Sequence, residues 1–181
     1  MKGAVLLCLD LQPVFLKAVA GGPELIRRCS FAIEVAAGLG IPVEFTEQVP
    51  SKLGATEPSL LALAGSPKAH AKDTFSALSR QSPCRAALTE TRELNHLLLC
   101  GLETPICVYQ TALDALRADV AVTILSDCVG ARRPDDARAA LDSLARADAN
   151  VLPSEAVFYS ILGGASHPFF RPFTELVKKY A

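Results

Sequence analysis

GLETPICVYQTALDA, residues 101–115, decides how this chain is read: it follows the apolar run at 97–99 and sets a cysteine, Cys107, in the opening turn of a helix. Thr104 is suited to cap that helix, and Pro105 fits its first position, where a missing N–H costs nothing. A helix start leaves backbone N–H groups without internal partners and carries the positive end of the macrodipole. Both favour negative charge, so the pattern predicts a lowered pKa for Cys107 and a nucleophilic thiolate at neutral pH.

Outward from this stretch, short apolar runs alternate with helical spacing. Strands are expected at 4–9, 42–46, 69–71, 96–100, 120–125 and 150–152, and helices at 23–39, 84–93, 106–117 and 134–147, with two more from Ser154 and from Pro168. Residues 47–68, rich in Pro, Gly and Ser around one apolar segment at 60–63, are expected to form a long loop with a helical turn. Such alternation implies βαβ units with right-handed crossovers. The expectation is one domain over residues 1–181, a Rossmann-like three-layer α/β/α sandwich around a mainly parallel six-stranded sheet. Ligands bind such sheets beyond the carboxyl ends of the strands, where strand order reverses. Asp10, Lys72 and 103–107 all fall at those ends.

Composition narrows the partners. Eighteen Lys and Arg against nineteen Asp and Glu give a net charge of −1, which supplies no basic field for nucleic acid. No apolar run approaches the roughly 20 residues that span a bilayer. The six cysteines form no CxxC pair, and residues at the start lack the pattern of a secretory leader, so reduced thiols and a cytoplasmic location are expected. Half of the residues are hydrophobic and the mean hydropathy is +0.29, which predicts apolar surface covered by a second copy, hence a homo-oligomer acting on a small-molecule substrate.

Thiol-dependent acyl chemistry needs a nucleophile, a group that takes and returns its proton, and donors for an oxyanion. Cys107 supplies the sulfur, Asp10 the base, and Lys72 a charge that holds both anions. The backbone N–H groups of Glu103 and Cys107 supply the oxyanion donors.

These residues resemble a known family, the isochorismatase-like cysteine hydrolases, over nearly the whole chain. LLCLDLQPVF at 6–15 is similar to the family's opening strand and its catalytic aspartate, KDTFSAL at 72–78 to the segment with the catalytic lysine, and GLETPICVYQTALDAL at 101–116 to the nucleophile motif. TEQVPSKLG at 46–54, SEAVF at 154–158 and His167-Pro168 look closest to the isochorismatase domain-containing branch. The resemblance implies a Cys107–Asp10–Lys72 triad that cleaves an amide-like C–N bond through a thioester, and a cis peptide at Leu102–Glu103. It also implies a pocket that includes Gln12, Phe15 and Leu102. Nicotinamidases carry an Asp-x-His metal site after the second strand, whereas 45–49 here reads FTEQV, so neither metal nor cofactor is expected. Isochorismatase itself lacks the cysteine, which argues against vinyl-ether hydrolysis. Asp119 and Asp148 stand where relatives often end a helix with glycine, and Asp tolerates the left-handed conformation better than most residues.

Plainer readings compete. Cys8, Cys29, Cys100 and Cys128 are expected to be small buried hydrophobes. Asp10 alone could cap a turn, and Lys72 has a rival in Lys68. His70, His96 and His167 lack ligand spacing; His96 is expected to open a strand and His167 to shape the start of a helix. Arg132 and Arg133 suit either a solvated face or an anion contact. Against a metal-independent cysteine hydrolase stand a nicotinamidase-type amidase, a non-catalytic oligomeric or interaction protein that keeps the fold, and a redox-sensing thiol, for which Cys100 is the nearest resolving cysteine in sequence.

Overall fold

A computed structural model describes residues 3–89 and 93–181. Six strands, β1 (Ala4–Leu9), β2 (Val43–Gln48), β3 (His70–Lys72), β4 (His96–Gly101), β5 (Ala121–Val129) and β6 (Asn150–Leu152), form one sheet in the order β3-β2-β1-β4-β5-β6. Every neighbouring pair is parallel. Strand order reverses between β1 and β4, so the crevice lies where residues 10 and 102–107 leave the sheet.

The sheet is buried on both faces, which is why its strands read as continuous apolar runs. Side chains of β1 still alternate. Ala4, Leu6 and Cys8 join one core with Phe31, Phe158 and Phe173, whereas Val5, Leu7 and Leu9 join the other with Leu88, Val108 and Leu144. The first layer is built by α2 (Gly22–Gly38), α8 (Ser154–Leu162) and α9 (Phe170–Tyr180). The second is built by α5 (Pro83–Thr89), α6 (Tyr109–Leu116) and α7 (Pro134–Arg146). The sandwich is therefore the one expected.

Its differences in detail have physical causes. Residues 47–68 hold two short helices, α3 (Pro50–Leu53) and α4 (Pro58–Leu63), in addition to α1 (Pro13–Leu16), and each has a proline in its first turn. β5 runs four residues past the expected 125 because Asp127, which reads as a strand breaker, is satisfied in place. Its carboxylate accepts the Ser154 N–H and hydroxyl, both at 2.7 Å, and the Arg28 Nε–H at 2.9 Å. The helix expected at 84–93 covers Pro83–Thr89, and 90–92 lie outside the described residues. Asp119 and Asp148 take φ of 57° and 68°, the conformation that glycine otherwise supplies. His167 Nδ1 accepts the Phe169 N–H at 3.1 Å just before α9, and His96 opens β4.

Candidate active site

Asp10, Lys72 and Cys107 converge at the carboxyl edge of the sheet. Asp10 is the first residue past β1, with a left-handed φ of 52°, and its N–H donates to Thr46 O at 3.1 Å. Its side chain caps no turn. Oδ1 accepts the Thr46 hydroxyl at 2.7 Å, and Oδ2 accepts the Lys72 ammonium at 2.7 Å. Lys72 ends β3, two strands away from β1, and its chain reaches across the end of β2. There Nζ also donates to Gln48 Oε1 at 2.6 Å and Thr74 O at 3.3 Å, and lies 3.7 Å from Cys107 Sγ.

The turn that presents Cys107 differs from the one expected. Thr104–Val108 is a single π-helical turn that leads into α6, closed by the Val108 N–H on Glu103 O at 3.2 Å. Thr104 is not its cap. The Thr104 hydroxyl donates to Gly130 O at 2.9 Å, tying the turn to the end of β5, and Glu103 holds the cap position without a side-chain hydrogen bond to the turn. The Leu102–Glu103 peptide is cis. Among the described residues, the Glu103 N–H donates to no other group.

The thiol runs opposite to the expected shift. Burial first, then the Asp10 charge, push the Cys107 pKa from 9.0 up to about 12, against the Lys72 ammonium that draws it down. Desolvation of an anion exceeds the fractional charge at a helix start, worth roughly 0.3–1 kcal/mol at exposed sites. The resting arrangement is therefore a neutral thiol beside a carboxylate–ammonium pair.

Above these groups lies a cavity of about 290 Å³. Its walls include Phe15, Leu102 and Ile106, with Val14 and Phe75 at 45% and 54% exposure, so part of the wall faces solvent. Polar atoms come from Asp10, Gln48, Glu103, Cys107 and Arg132. Arg132 Nε donates to Glu103 Oε1 at 2.6 Å. Gln12 does not line this cavity. It is fully buried, donates to Gln48 O and Gly54 O, and accepts the Gln48 N–H at 2.8 Å, so its amide braces the β2 end instead of meeting a ligand.

Thr46 and Gln48 enter the sequence pattern only as part of the 46–54 segment, and the sequence leaves the role of Arg132 open. A polar residue at a strand end carries no local signal of what it will touch. Cys100, the nearest cysteine to Cys107 in the chain, has its Sγ 3.4 Å from Cys8 Sγ in the core on the α2 side, whereas Cys84 Sγ lies 3.7 Å from His70 O, near enough for the Lys72 and Asp10 charges to act on it. Among the described residues, no group of three or more His, Cys, Asp or Glu is arranged to hold a metal ion.

Residues 4–156, from β1 into α8 and so across the whole crevice, match the Isochorismatase domain. The chain belongs to the isochorismatase family. Isochorismatase domain-containing protein 2 of Xenopus laevis is 32% identical over 180 residues, 99% of this chain and 86% of that protein. A solved structure named as the MAR1 ribonuclease of Caenorhabditis elegans is 29% identical, with a TM-score of 0.86, covering 98% of this chain and 92% of that one. The Escherichia coli YcaC gene product, described as an octameric hydrolase of unknown specificity, shares the fold at 17% identity and a TM-score of 0.77, covering 98% and 93%. The two solved structures thus share the fold of this chain.

Proposed function

We propose that this chain is a metal-independent cysteine hydrolase that cleaves an amide-like C–N bond of a small molecule. The observation that carries this reading is the Lys72 ammonium, which lies 2.7 Å from Asp10 and 3.7 Å from Cys107 Sγ beneath a mostly apolar cavity. A neutral thiol needs a base, and Asp10 is the neighbouring anion. As sulfur attacks the carbonyl carbon, its proton passes to Asp10 and the carbonyl π pair moves to oxygen, which the Glu103 and Cys107 N–H groups receive. Collapse expels the amine, which takes the proton from Asp10, and leaves a thioester. Water then attacks that thioester, Asp10 accepts its proton, and the acid departs as the proton returns to sulfur. Lys72 keeps its charge throughout and steadies whichever of Asp10 and Cys107 is anionic. General base catalysis of this type is worth about 10²–10⁴ in rate.

The test is a panel of small amides and ureas with Cys107→Ala as control, read by ammonia or amine release and by intact mass for the acyl adduct. Turnover and an adduct that both vanish in Cys107→Ala support the hydrolase. Silence across the panel, with no adduct on the folded protein, favours a non-catalytic member that keeps the fold. The name of the nematode relative adds RNA to the same panel. The small apolar cavity and the net charge of −1 favour a small substrate over a polyanion. We extend the reading to a homo-oligomer, supported by Val14, Phe75, Leu152 and Tyr159, which are exposed large hydrophobic side chains. Light scattering that gives a monomer mass at micromolar concentration would remove that part.

A further inference from the structure

A second cleft, of about 480 Å³, is lined by Arg80, Arg85, Arg117, Gln81 and Ser79, with Asp114 as its acidic member. Three guanidiniums against one carboxylate leave this cleft strongly cationic in a protein whose net charge is −1. The charges are only partly spent. Arg85 Nη1 donates to Leu78 O at 2.9 Å, and Arg117 Nη1 meets Asp114 Oδ1 at 3.2 Å. Arg80 makes no ion pair or side-chain hydrogen bond with another described residue. Ser79 adds an independent observation, since its Oγ is the sole buried side-chain N or O atom among the described residues that lacks a hydrogen-bond partner. Native structures satisfy such groups with few exceptions.

We infer that this cleft binds the phosphate group of a small phosphorylated metabolite, held by the forked donors of Arg80, Arg85 and Arg117. Guanidiniums match tetrahedral oxyanions by paired, charge-assisted hydrogen bonds, and three together select a dianion over a monoanion. The volume exceeds what one phosphate fills, so the ligand carries an organic body, with Gln81 as a further polar contact. The site is distinct from the crevice at the ends of β1 and β4, but one segment serves both. Residues 72–82 run from the Lys72 ammonium past Phe75 on the cavity wall, are tied to α6 by the Ala77 N–H on Thr111 Oγ1 at 3.0 Å, and end at the cleft.

The experiment is calorimetric titration and thermal unfolding of the full chain with inorganic phosphate, with ribose 5-phosphate and with sodium chloride at matched ionic strength. Saturable binding of ribose 5-phosphate, with a rise in Tm that chloride does not reproduce, is the expected result. Saturable binding of both phosphates would also support the cleft and identify the bare phosphate group as sufficient. Arg80→Gln and Arg117→Gln, both at exposed side chains, should each weaken binding about tenfold or more, as loss of a charge-assisted pair does. Asp114→Asn should tighten it. Absence of saturable binding, an effect that chloride matches, or affinity unchanged in both arginine variants would each overturn the proposal. None of these readouts depends on turnover, so failure here leaves the reading of Cys107 untouched.

Discussion

Lys72 Nζ and Asp10 Oδ2 lie 2.7 Å apart with side chains 0% and 1% exposed, although β3 and β1 are not neighbours in the sheet. Gln48, on the intervening β2 and paired in register with Lys72, accepts a hydrogen bond from the ammonium. Removing either ion leaves the other buried without its counterion, a loss of about 3–5 kcal/mol. Lys72→Met should therefore lower the stability in urea unfolding by that amount. The double variant Asp10→Asn/Lys72→Met should recover part of the loss, and strict additivity of the single losses would show that the two groups do not act as a pair.

The raised Cys107 pKa separates two ways of using a thiol. Asp10 raises it by charge and hydrogen bonding, so Asp10→Asn should bring the thiol well below about 12 while slowing turnover by about 10²–10⁴. Lys72→Met should move the same titration upward. The check is ultraviolet absorbance of the thiolate against pH, run beside the rate of alkylation by iodoacetamide. Activity that rises in Asp10→Asn along with the thiolate fraction would mean that the carboxylate is no base.

The same shift acts on stability at alkaline pH. The folded state holds the Cys107 proton more tightly than the unfolded chain does, so its contribution is present below pH 9.0 and is lost as pH rises toward about 12. At the acid end the sign reverses for Asp127. Burial pushes its carboxyl up, but the Ser154 N–H and hydroxyl and the Arg28 guanidinium more than offset this and hold it below the ordinary 3.8. Its contribution is present above that value and is lost as pH falls through the lowered one. Asp127→Asn should flatten the stability profile below pH 4 and cost about 1–3 kcal/mol at neutral pH, read as a shift of the urea midpoint with pH.

Gly101 ends β4 with φ of +112°, and a Cβ there would lie 2.0 Å from Leu9 O and 2.7 Å from Leu9 N. Backbone cannot yield as a flexible side chain can. Gly101→Ala should cost about 3 kcal/mol or more, with the loss of Tm measured by circular dichroism, because it separates the ends of β1 and β4 on which the carboxylate and the thiol stand.

Much of this was legible in the chain, for reasons that differ by residue. Residues 4–9 are a bounded apolar run whose limits the backbone keeps, as it keeps those of the short strand at 150–152, and Cys107 follows a strand at a proline-marked turn. Lys72 was legible only through the resemblance of 72–78, since an isolated lysine resembles any surface charge. Thr104 misled because a hydroxyl before a helix can cap it or bond elsewhere, and here Gly130 O, 26 residues on, accepts its hydrogen bond. The helix-start argument for the thiol failed because local sequence reports the dipole and not the dry pocket that outweighs it. The pocket role of Gln12 rests on the resemblance of 6–15, yet its partners, Gln48 and Gly54, lie 36 and 42 residues away.

The ion pair between Lys72 and Asp10 spans 62 residues, and a further 35 separate Lys72 from Cys107. No nascent fragment or local hairpin can gather three such distant points. The contacts form only after the crossovers that bring β3, β1 and β4 into one sheet, so a count of competent sulfur centres is a census of fully folded molecules, blind to any chain stalled short of the last closure.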